Sequence, residues 1–178
     1  MNPSICEWLY SPIIYLNNSE INFQNLGKKA LLDQNRILPL LYHYKSMAKS
    51  NYKTHIQSKK DVKIKKYLYV IRPAGMLIWL LKKNEAKLVN FNIDFLVILE
   101  EIREYISEEC YQQINRIIEK KKTIKEMDLE PRIKCIDNWI DTILNDEYQD
   151  DFKKIKEKET REDLLNNLDN VLFSILKI

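Results

Sequence analysis

Two glycines in 178 residues, Gly27 and Gly75, constrain this chain more than any other feature of it. Average usage of about 7% would supply roughly twelve. Glycine-rich loops exist so that backbone can approach phosphate closely, and neither a dinucleotide fingerprint nor a P-loop can be written with Gly27-Lys28 and Gly75-Met76. The same shortage disfavours an all-β fold with many tight turns and points toward helices. Apolar residues, at 45%, can bury one sizeable core, and the length suits one domain.

Along the chain, Pro3 suits a first helical position, Ser11-Pro12 stops that helix, and Ile13-Ile14-Tyr15-Leu16 is the one β-prone segment. Apolar spacing of three and four predicts a helix through Ile21, Leu26 and Leu31, a second from about Arg36 to Gln57, and a third from about Asp61 to Lys83. Pro73 lies inside the third and predicts a kink. Further helical stretches carry Phe95, Leu96, Ile98, Leu99, Ile102 and Ile106, then Ile114, Ile117 and Ile118. Pro131 opens another with Ile133, Ile136, Ile140, Ile143 and Leu144, and Thr160-x-x-Asp163 caps a last one through Leu164 to Ile175. The expected fold is all-α: a single helical domain over residues 1–178, of about seven helices, with one short extended N-terminal segment.

The longest apolar run, Ala74 to Leu81, is far short of the roughly twenty residues that a membrane helix needs, and the N-terminus shows no secretory signal. A cytoplasmic protein without a membrane partner is expected. Cys6, Cys110 and Cys135 are odd in number and far apart, which reads as reduced core thiols. His43 and His55 are the only histidines and have no neighbouring cysteine, so no metal site of protein ligands is expected.

The net charge of +3 hides a segregation. Residues 36–83 carry twelve basic groups and one acidic, a net +11, whereas residues 84–178 carry −7 and residues 1–35 carry −1. The second and third helices therefore form a basic hairpin. Lys45, Lys49 and Lys53 fall on one helical face, and Lys59, Lys60, Lys63, Lys65 and Lys66 continue the cluster over the connection. Two readings stand side by side: a solvated face, or a site whose like-charge repulsion is relieved by a polyanion. Tyr42, Tyr44, Ser46, Asn51, Tyr52, Tyr67 and Tyr69 interleave with the lysines, and such a mixture offers point charges, directed hydrogen bonds and stacking faces to a nucleotide or RNA.

Three ordered blocks carry a resemblance: Asn2-Pro3 with Glu7-Trp8-Leu9-x-Ser11-Pro12-Ile13-Ile14-Tyr15; Tyr42-His43-Tyr44-x-Ser46-Met47-Ala48-x-x-Asn51-Tyr52; and Lys65-Lys66-Tyr67-Leu68-Tyr69-x-x-Arg72-Pro73 with Trp79. They resemble the predicted nucleotidyltransferases of the RNA-repair-pathway DNA polymerase beta family, best over residues 1–83, and Asp137-x-Trp139-Ile140 is similar to the family's closing helix. The resemblance implies a catalytic domain followed by a helical substrate-binding domain, with a nucleoside triphosphate held between the two and Mg²⁺ on the catalytic side. The residues it assigns to the phosphates are Ser46, Lys49, Asn51, Lys65, Lys66, Tyr69 and Arg72; for Arg72, a buried bridge to an acidic core residue is the other reading.

The Gly-Ser turn and Asp-x-Asp pair that such enzymes use to hold two metal ions are absent from this sequence. Asp150-Asp151 lies in a charged connection, and Asp137 with Asp141 reads as a solvated helix face. The chain is therefore expected to correspond to the C-terminal helical half alone. On that reading it is catalytically incompetent by itself, has no cofactor of its own, and meets a nucleoside triphosphate with Mg²⁺ only when a separate catalytic nucleotidyltransferase chain is supplied. Two other classes remain. Arg36-(x)6-His43 formally fits the arginine and histidine spacing of HEPN-like ribonucleases, with the histidine as proton-transfer group, and a helical interaction module without chemistry is the third.

Overall fold

The computed structural model describes residues 7, 8, 10, 37–85, 93–123, 129–145, 151, 153–155 and 173. They are mostly helical, in the order α1 (Ile37–His55), β1 (Asp61–Lys63), α2 (Ile64–Glu85), α3 (Phe95–Glu101), a 3-10 turn (Arg103–Tyr105), α4 (Glu108–Thr123), β2 (Leu129–Pro131) and α5 (Lys134–Leu144). The extended segment expected at Ile13–Leu16 lies outside the described residues, as does the helix expected after Thr160 except for Phe173, which is helical.

In α1 the apolar spacing works as read, with Ile37, Leu40, Leu41, Tyr44, Ala48 and Tyr52 on the buried face. Lys53 in its last turn complements the helix dipole. The chain then reverses through Ser58, the one described non-glycine residue with a positive φ, at 65°. Helix α2 is the central element and packs against α1, α3, α4 and α5. From residue 67 to 81 its side chains are buried all round, with Tyr69 and Arg72 the two exceptions.

Gly75 explains how α3 comes so close to α2. A Cβ placed there would lie 3.3 Å from both Ile102 Cδ1 and Phe95 Cε2. Asp94 caps α3 by accepting from Leu96 N–H at 2.9 Å. Ser107 does the same for α4, its Oγ accepting from Cys110 N–H at 3.3 Å. Those two caps divide the apolar run 95–106 into a short helix and a turn, and Leu96 faces solvent at 56% exposure although it was read with the apolar series.

The sequence reading needs correction at two further places. Residues 61–63 are not the first turn of α2 but a strand, paired antiparallel with 129–131 in the register Asp61↔Pro131, Val62↔Glu130 and Lys63↔Leu129. Only Val62 of β1 is buried, so the strand anchors the α1–α2 connection by one side chain. Pro131 accordingly ends β2 instead of opening a helix, a position where its missing N–H costs little. Helix α5 starts three residues later, at Lys134.

The thiols lie where the sequence placed them in part. Cys110 is buried and Cys135 half-buried, both unbridged, and burial pushes the Cys110 thiol up to about 12. Cys6 is outside the described residues. No described helix is long and apolar enough to cross a membrane.

Candidate functional site

Tyr69 and Arg72, the two exposed residues of the run from 67 to 81, mark a cavity of about 320 Å³ between α1, α2 and the start of α3. Tyr44, Met47 and Asn51 line it from α1; Leu68, Tyr69, Arg72, Pro73 and Met76 line it from α2; Ile93, Phe95 and Ile98 close it, and Glu7 stands at its edge. Its walls are therefore mainly apolar, with a carboxylate, an amide, a phenol and a guanidinium converging on them. That combination suits a small ligand with an aromatic body and polar edges.

Three of the seven residues assigned to phosphate by the sequence meet at this cavity: Asn51, Tyr69 and Arg72. Asn51 Nδ2 donates to the Tyr69 carbonyl at 2.8 Å, which leaves Oδ1 as its acceptor. Arg72 is exposed, with its guanidinium 5.9 Å from the centroid of the Phe95 ring. It is not the buried bridge that was its alternative reading. Tyr44 O–H donates to Glu7 Oε1 at 3.1 Å and holds that carboxylate against α1.

Lys65 and Lys66 begin the same face of α2 one turn earlier, and Lys66 Nζ lies 4.4 Å from the centroid of the Tyr69 ring. Ser46 and Lys49 are elsewhere. Helical spacing puts them with Tyr42 and Lys53 on the opposite, exposed face of α1, away from the wall formed by residues 44, 47 and 51. His43, the proton-transfer group of the ribonuclease alternative, packs edge-on against Tyr44 at 5.2 Å and 71°. Arg36 lies outside the described residues.

A polar network that the sequence reading misassigned lies beneath this hairpin. Asp137 is 6% exposed, not solvated. Arg132 Nε donates to its Oδ2 at 2.8 Å, and Tyr67 O–H donates to its Oδ1 at 3.1 Å. Arg132 also donates to the Tyr52 hydroxyl at 3.1 Å, Tyr52 donates to Asp141 Oδ2 at 3.5 Å, and Ile133 N–H donates to the Tyr67 hydroxyl at 2.9 Å. Burial pushes the Asp137 carboxyl above the usual range, against the hydrogen bonds and charge of Arg132. Burial likewise raises Tyr67, and it raises Tyr52 to about 12 with the help of Asp137 and Asp141. The network ties α5 to the α1–α2 hairpin, and the β1–β2 pair brings the chain to Arg132.

These carboxylates do not fit the Mg²⁺ that the sequence resemblance implies. Both oxygens of Asp137 are engaged by protein donors, and among the described residues no group of three or more His, Cys, Asp or Glu side chains is placed to hold a metal ion.

Comparison with known proteins agrees with the blocks read from the sequence. The profile of the RNA repair pathway DNA polymerase beta family matches residues 1–173. The uncharacterized protein YcgL of Bacillus subtilis (strain 168) is 30% identical over 179 residues, an alignment covering 99% of this chain and 63% of that protein. The chain thus spans less than two thirds of the length of this relative. No solved structure matches it.

Proposed function

Since the chain belongs to the RNA repair pathway DNA polymerase beta family, we propose that it is the helical, nucleotide-binding part of a nucleotidyltransferase whose metal-holding carboxylates are supplied by polypeptide outside this sequence. The observation that carries this reading is the convergence of Asn51, Tyr69 and Arg72 on one mainly apolar cavity. At about 320 Å³ it stands at the small end of ligand sites, suited to one nucleoside and not to a stacked strand. The base would lie against Leu68, Met47 and Phe95, with Asn51 Oδ1 and Glu7 accepting from its edge. Arg72 at the mouth would meet the phosphates, where its fork of donors matches two oxygens at once.

The sequence supports the division of labour, because it contains no Gly-Ser turn followed by Asp-x-Asp. On this reading the chain binds a ribonucleoside triphosphate but transfers nothing with Mg²⁺ alone. RNA is the second ligand class, favoured by the alignment of Ser46, Lys49 and Lys53 on the outer face of α1.

Thermal melting with each of the four ribonucleoside triphosphates at low salt tests the reading. A rise in Tm with at least one of them, reduced in Arg72→Ala, is expected. Unchanged melting with all four would overturn it, as would Mg²⁺-dependent nucleotidyl transfer by the pure chain for the division of labour.

A further inference from the structure

We propose that His55, Lys59 and Lys66 form a phosphate site beside the exposed ring of Tyr69, and that His55 takes up a proton when a phosphate group occupies it. The site deepens the nucleotide-binding reading, because Tyr69 belongs to both, yet it stands on residues that do not line the cavity.

The geometry gathers two nitrogen-bearing side chains, His55 and Lys66, at one aromatic ring, and the charge of Lys59 also acts on His55. His55, in the last turn of α1, meets Tyr69 edge-on at 6.0 Å and 62°. Lys66, from the first turn of α2, lies 4.4 Å from the centroid of the same ring. The left-handed residue Ser58 turns the chain directly before Lys59, and Lys59 N–H donates to the Ile56 carbonyl at 3.2 Å, which holds this turn against the end of α1. Lys59 and Tyr69 are exposed, and His55 and Lys66 are half-buried. Among the described residues no carboxylate is paired with either lysine or with His55.

The electrostatics follow. Burial, then the charges of Lys66 and Lys59, hold the His55 imidazole below its ordinary 6.5, so it is neutral near neutral pH. A phosphate between the three groups reverses the sign of the local field. It favours the imidazolium, so the histidine titrates higher in the complex than in the free protein, and binding consumes a proton. Affinity must then rise as pH falls from about 8 toward 6.5.

The phosphate can come from a free nucleotide or from an RNA backbone, and the pH profile separates them. A phosphomonoester loses its second charge near pH 6, so its affinity passes through a maximum close to that value. A phosphodiester keeps its single charge, and its affinity keeps rising on acidification.

The experiment uses 5′-AMP and a short single-stranded RNA without terminal phosphates. The His55 titration is followed by NMR with and without each probe, with His43 as internal reference, and affinity is measured at about pH 8 and about pH 6.5. The expected result is an upward shift of the His55 midpoint alone, binding about fivefold tighter at the lower pH, and loss of that dependence in His55→Ala. His55→Gln, which keeps the shape of the site, should behave as the alanine variant does. AMP binding that leaves the His55 titration unmoved would overturn this site and leave the cavity reading standing. Failure of both probes to bind would overturn both.

Discussion

Asn51 donates its side-chain amide to the carbonyl oxygen of Tyr69 at 2.8 Å, and that carbonyl lacks its donor within α2, because the residue four positions on is Pro73. A proline inside a helix removes one N–H and leaves the acceptor four residues earlier without its donor. Asn51 supplies a substitute from the neighbouring helix. The exchange locks the two helices together at the cavity wall and fixes the backbone that presents Tyr69.

A double-mutant cycle tests this substitution. Asn51→Ala is expected to cost about 1 kcal/mol, the worth of one hydrogen bond with part of the loss made up by water. In a Pro73→Ala background the backbone N–H returns, and the same Asn51→Ala change should cost under about 0.5 kcal/mol. Denaturant unfolding of the four proteins measures both. Equal costs in the two backgrounds would show that Asn51 does not stand in for the missing donor.

The buried pair below the hairpin predicts a larger effect. Removing Arg132 leaves Asp137 in a site where burial already disfavours its charge, so Arg132→Ala should destabilise by about 2–3 kcal/mol and push the Asp137 carboxyl further up. The figure sits below that for fully buried pairs because the Arg132 side chain is 33% exposed. Urea unfolding gives the first quantity, and carboxyl NMR titration gives the second.

How much of this was legible in the sequence depends on period. Helices α1 and α2 could be read because their apolar residues repeat over five or more turns, and the basic hairpin followed from charge counts. The β1–β2 pair could not, since three residues with one buried side chain leave no alternation to detect. For Asp137 the sequence carries a signal of burial: it stands at i+4 from Ile133 and i−3 from Ile140, inside the apolar stripe of α5. Its i, i+4 spacing from Asp141 is the competing signal, and it points toward solvent. The partners of Asp137, Arg132 and Tyr67, come from two other places in the chain, and no spacing rule connects them. Likewise, nothing in the run from 67 to 81 singles out Tyr69 and Arg72 as its exposed residues by period.

Tyr52 makes the fold sensitive to alkali. Its pKa rises from 10 in a free chain to about 12 here, through burial first and then Asp137 and Asp141. A raised folded value means that the contribution is whole below the unfolded value and is lost as pH climbs through the folded one. Stability should therefore fall between pH 10 and about 12, and Tyr52→Phe, which removes the titrating hydroxyl, should flatten that part of the profile. Guanidine unfolding at stepped pH, with phenolate absorbance as second probe, checks it. A Tyr52→Phe profile parallel to the parent's would assign the alkaline loss to other groups.

The two faces of α1 give the last prediction. Asn51 looks into the cavity with Tyr44 and Met47, whereas Ser46, Lys49 and Lys53 look away from it. If nucleotide binding belongs to the cavity, Arg72→Ala should weaken ATP binding about tenfold or more, the worth of a charge-assisted contact, while Lys49→Ala should change it less than about twofold. Single-stranded RNA should invert the order if it runs along the outer lysines, because each phosphate contact there adds to a salt-dependent binding that the guanidinium at the cavity mouth does not share. Titration of both variants with both ligands at two salt concentrations separates the faces. Equal losses of ATP binding from Arg72→Ala and Lys49→Ala would mean that the bound nucleotide answers to the overall charge of the hairpin, and the assignment of its phosphates to the cavity mouth would fall.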